Sequence, residues 1–162
     1  MTAIPKSRLL ATAAICAIAS LATARDSAAQ GGDRLAGTWH LNVAQSTYAS
    51  AAAPKSQTTT LHAVDGGLHE IVERLNADGT ITRWELTARY DGRDYPVTGD
   101  PSRDAVALTR VDQNTVDIVN KKAGVVVNRM RIVVAADGGS RTNTVMDPSG
   151  QKTTAVLRFD RR

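Results

Sequence analysis

The chain has few of the residues from which reactive sites are usually assembled. It holds one cysteine, three histidines, two tryptophans, three tyrosines and one phenylalanine among 162 residues. Cys16 is the single thiol and sits inside an N-terminal apolar run, so everything after that run is without a disulfide, a thiol nucleophile or a cysteine metal site. The bulky Ile15 of Ala13-Ala14-Ile15 before it does not suit a lipid-attachment motif. His40, His62 and His69 share no metal-ligand spacing, and no histidine follows His69. No Gly-x-Ser-x-Gly elbow occurs. Glu70 and Glu73 fall on opposite faces of any strand that holds both. These absences lead us to expect no enzyme, no metal and no cofactor. Apolar runs long enough to cross a bilayer, about 20 residues, are also missing. Basic residues are scattered singly, apart from Lys121-Lys122 and Arg161-Arg162, with no aromatic-interleaved stripe, which argues against a nucleic-acid partner.

What is present begins with an address. Lys6 and Arg8 precede an uncharged run from Leu9 to Ala24, followed by small-residue cleavage sites at Ala22-Thr23-Ala24 and Ser27-Ala28-Ala29. This is the layout of a secretory signal. We expect residues 1–29 to be removed and residues 30–162 to form a single exported domain, periplasmic or secreted. That segment carries Lys6, Arg8, Arg25 and Asp26, so the formal net charge of +4 falls to +2 once it is gone. A domain of this size buries enough surface to stand without disulfide staples.

Turn chemistry then punctuates the chain at regular intervals: Asp65-Gly66-Gly67, Asp78-Gly79, Asp91-Gly92, Gly99-Asp100-Pro101, Asp112-Gln113-Asn114, Ala123-Gly124, Asp137-Gly138-Gly139 and Asp147-Pro148. Asp and Asn side chains close turns on the backbone, and Gly supplies positive φ. Ten strand-like runs lie between these signals, at 37–43, 57–64, 68–75, 80–90, 94–98, 104–111, 115–122, 125–136, 140–146 and 152–160. Residues 44–56, rich in small side chains and ending near Pro54, read as a loop or one short helix over a barrel mouth. Hairpin links throughout walk strands round in order, and such a meander closes to remove its edges. The expectation is an all-β, up-and-down antiparallel meander of eight to ten strands closing into a small barrel.

Gly37-Thr38-Trp39 at the head of the first strand resembles the opening of the calycin superfamily, which comprises lipocalins, fatty-acid-binding proteins and avidins. The resemblance implies that Trp39 plugs the closed end against a late-strand cation, for which Arg158 in the terminal LRFDRR is the expected partner. The chain also resembles small secreted bacterial proteins that open in a GTWKLN style and carry a YDGKDYPVTG-like segment; residues 90–99 here read YDGRDYPVTG.

Within a barrel, period two puts Trp84, Leu86, Ala88 and Tyr90 on one face of ITRWELTARY. If that face is the inner one, Trp84, Leu86 and Tyr90 line a pocket for a small apolar ligand, with Tyr95 contacting it at the mouth. Arg129 and Arg131 alternate with Met130 and Ile132, and period two leaves open which pair points inward. Inward arginines would need a carboxylate, and fatty-acid carriers use inward arginines in that way. The leading reading is a small-molecule carrier for a hydrophobic or carboxylate-bearing ligand. The alternative is an envelope protein-interaction or scaffolding module, its protein partner unknown, presenting the Thr58–Thr60 and Thr142–Thr144 faces.

Overall fold

A computed structural model describes residues 32–49 and 52–162; the expected export segment lies outside the described residues. Ten strands run β1 (Gly37–Tyr48), β2 (Ser56–Val64), β3 (Gly67–Leu75), β4 (Ile81–Arg89), β5 (Asp91–Thr98), β6 (Ala105–Arg110), β7 (Thr115–Lys122), β8 (Val125–Val134), β9 (Ser140–Met146) and β10 (Thr153–Arg161). Each pairs antiparallel with its neighbours in sequence, and β1 pairs with β10 to close a ten-stranded barrel. That architecture is consistent with a calycin-like fold. No helix of the described residues is long and apolar enough to cross a membrane.

The hairpins follow from local chemistry. The β7–β8 turn is the two-residue Ala123-Gly124, both at positive φ (49° and 78°), the geometry whose twist matches that of the flanking strands. Ala123 tolerates this because the Asp104 carboxylate accepts its backbone N–H at 2.9 Å. Gly99 leaves β5 at φ 89°, where a Cβ would lie 2.3 Å from the Arg83 carbonyl oxygen, so only glycine lets the chain pass that close to β4.

One expectation changes. The stretch 44–56 is neither a loop nor a helix at its start, because β1 continues to Tyr48 through a bulge between Asn42 and Thr47, pairing Thr47 with Val156 and Tyr48 with Ala155. Small side chains in AQST read as loop composition, but the edge of β10 supplies backbone partners that composition does not reveal.

Alternation sorts the side chains. In β4, Trp84, Leu86 and Ala88 are buried inside, while Arg83, Glu85, Thr87 and Arg89 are exposed. The inner faces unite in one core that includes Leu35, Trp39, Leu61, Leu68, Leu108 and Phe159. This core fills the end of the barrel where residues 33–36 cross beneath β1. Trp39 is fully buried, and its indole N–H donates to the Leu35 carbonyl at 2.8 Å. The arginine that packs on the Trp39 ring from β10 is Arg161, its guanidinium 4.2 Å from the ring centroid. Arg161 also donates to the carbonyls of Arg34, Ala36 and Gly138, each at 2.6 Å, tying the crossing segment to the barrel floor. The expectation for Arg158 is therefore corrected. Arg158 pairs with Asn42 and Thr142 and donates to the Thr142 hydroxyl at 2.9 Å, on the outer face. It is out of phase by one residue with the inward Phe159.

Candidate functional site

The two halves of the barrel interior differ. Toward the closed end, the space among Leu35, Leu61, Leu68, Leu86, Val106 and Val116 amounts to about 10 Å³, no more than one water needs. Toward the other end lies a cavity of about 190 Å³, open to solvent. Its wall is built from inward side chains of β2, β3, β4 and β7–β10, with Asp100, Ser102 and Arg103 reaching in from the β5–β6 loop.

This wall is polar and charged. Three guanidinium groups, Arg74, Arg103 and Arg141, face two carboxylates, Glu70 and Asp100. Arg103 is buried and belongs to the carboxylates: it lies 2.9 Å from Asp100 and 3.5 Å from Glu70. Glu70 also accepts the Trp84 indole N–H at 3.1 Å. Arg74 and Arg103 both pack over the Trp84 ring, 4.7 and 5.7 Å from its centroid, which fixes the indole as a wall between two cations. Arg74 donates to Gln57 at 2.8 Å and makes no ion pair among the described residues; burial draws its guanidinium below the usual arginine range.

Arg141 is the outlier. It is 2% exposed, sits over Trp39 and Phe159 at 5.1 and 4.6 Å from their ring centroids, and its guanidinium makes no hydrogen bond or ion pair among the described residues. Desolvation lowers it to about 10, only partly opposed by the attraction of Glu70. Two residues on, along the same face of β9, the Asn143 side-chain oxygen is likewise buried and unpartnered. The Tyr48 hydroxyl is also buried but lies outside the cavity lining, and burial raises it above the usual tyrosine value. Buried polar groups are nearly always paired, so orphans bordering a cavity are exceptional.

Of the ligand-contact residues expected from sequence, Trp84 lines this cavity. Leu86 lies in the packed half. Tyr90 is at the closed end, where its hydroxyl donates to Asp33 at 2.5 Å and Arg110 lies 3.9 Å over its ring. Tyr95 packs against the core from β5 and donates to Asp91 at 2.9 Å, away from the cavity. Arg129 and Arg131 point outward: Arg131 forms a two-pronged pair with Asp117 at 2.7 Å, and Arg129 donates to the Pro148 carbonyl at 3.0 Å. The inner face of β8 is instead Asn128, Met130, Ile132 and Val134. Exposing Val133 costs less than burying two unpaired arginines.

Sequence reasoning missed Arg74, Arg103, Arg141 and Asn143. A signal existed for the last two. In SRTNTVM, a polar outer row of Ser140, Thr142 and Thr144 leaves Arg141, Asn143 and Val145 on the other face, so reading the threonines as exterior already sends Arg141 inward. The exterior histidines are engaged elsewhere: His69 lies 2.7 Å from Glu85, and His40 meets the Thr58 hydroxyl at 3.3 Å.

Compared with protein-family models and with curated proteins, the chain finds no match.

Proposed function

We propose that this protein is an exported, non-catalytic carrier of the calycin type, which holds one small organic acid in the open half of its barrel. The observation that carries the reading is Arg141: a fully buried guanidinium, without an acceptor among the described residues, on the floor of a solvent-connected cavity. An uncompensated buried charge is expensive, and burial draws this guanidinium down to about 10. A chain that keeps such a group against that cost does so for a ligand that supplies the missing charge. A carboxylate fits, because it accepts paired N–H donors from one guanidinium. The signal features of residues 1–29 support export to the periplasm or beyond.

The direct test is native mass spectrometry of the protein purified from its own host, before and after mild denaturation. A bound acid released on denaturation is the expected result. A clean apo mass across preparations, together with no acid that shifts the melting temperature, would move the reading to the interaction module.

A further inference from the structure

We infer that the ligand is a compact monoanion carrying a hydrogen-bond donor beside its acid group, a hydroxy acid with one ring or a short chain, and not a long-chain fatty acid. This rests on the carrier reading and goes on to name the class of molecule.

Three observations carry it. The first is volume. A cavity of about 150 Å³ takes benzene, so about 190 Å³ takes a ring with a short substituent, whereas the packed half below offers about 10 Å³ and no room for an alkyl tail. The second is charge. Three guanidinium groups against two carboxylates leave one positive charge in the wall, which one negative charge neutralises and two would overshoot. The third is the pair of orphans on β9. Arg141 has only donors to offer, while the unpartnered Asn143 oxygen only accepts. Side chains two residues apart on a strand stand about 7 Å apart at the backbone. One ligand end can therefore present an anionic oxygen to Arg141 and a hydroxyl to Asn143. A simple acid leaves the Asn143 oxygen unpaired, and a site built to bond a hydroxyl rejects the analogue lacking it.

Water could fill the same positions, and titration calorimetry on the full chain separates the two cases. The probes are mandelate, phenylacetate, which has the same ring and acid without the hydroxyl, and palmitate. Mandelate is expected to bind at least tenfold tighter than phenylacetate, and palmitate not to compete with it. In Asn143→Leu the two ring acids are expected to come within about twofold of each other. Equal binding of mandelate and phenylacetate to the unaltered protein, or palmitate as the tightest probe, overturns this inference and leaves the carrier reading standing. Binding of none of the three, with Arg141→Met unchanged in every titration, removes both. The comparison between probes needs no variant, so poor folding of Asn143→Leu would not blunt it.

Discussion

The closed and open halves of this barrel are made from the same ten strands and obey opposite rules. At the closed end the Trp39 indole has the Leu35 carbonyl, Arg161 has three carbonyls, and Tyr90 shares Asp33 with Arg110. The unpartnered Asn114 oxygen at that end belongs to the β6–β7 turn and not to the interior. In the open half the Arg141 guanidinium and the Asn143 side-chain oxygen have no partner among the described residues, and both residues line the cavity. The first half is dry and satisfied, whereas the second carries buried polar groups that cost stability.

Truncation should break this contrast most visibly at the tryptophans. Trp39→Ala is expected to lose about 3–5 kcal/mol in urea unfolding, because the void it leaves has packed walls on every side. Trp84→Ala should cost about 1–2 kcal/mol less, since it widens a cavity that is already open to solvent. Equal losses would mean that the two halves do not differ in the way described.

Arg141→Met should stabilise the fold by about 1–3 kcal/mol while abolishing acid binding, because it replaces an unpaired buried charge with an apolar chain of similar length. A destabilised variant in the same denaturant titration would mean that the contacts with Trp39 and Phe159 outweigh the desolvation of the charge.

The closed-end cluster sets a pH dependence. Burial first, then the hydrogen bond and charge of Asp33, push the Tyr90 hydroxyl far above the usual tyrosine value. The folded state therefore keeps a proton that the unfolded chain releases near pH 10, so the contribution of Tyr90 is complete below pH 10 and declines as pH rises above it. Tyr90→Phe should cost about 1 kcal/mol at neutral pH. That difference from the unaltered protein should shrink, then reverse, as unfolding is measured at increasing alkalinity.

The smallest effect is expected at Arg131. Its pair with Asp117 is half exposed, so Arg131→Ala should change stability by no more than about 0.5–1 kcal/mol and leave acid binding as it was. A large loss of binding would return the ligand to the outer face of β8.

How legible all this is in the sequence depends on the property asked about. Hairpin links, Asp-Gly turns and period two in segments such as ITRWELTARY are local, and a closed meander of eight to ten strands and the shared face of Trp84, Leu86 and Ala88 follow from them. Trp39 as the plug comes from the calycin resemblance of Gly37-Thr38-Trp39 and not from local pattern. Its cation is not legible: Arg158 and Arg161 lie on one strand, and the register against β1 and β9 decides which of them turns inward. Where a strand has mixed faces, the pattern is silent. HEIVERL and VVVNRMRIVV each offer two half-apolar faces, and closure of the barrel chose to expose Ile71 and Val133 so that Glu70, Arg74 and Met130 could point inside. The sequence by itself determined the strands and their order, because turns and alternation act over a few residues. Only the tertiary structure decided which charges came to line the cavity, because that depends on register summed around ten strands and on a loop, carrying Arg103, that reaches across the mouth.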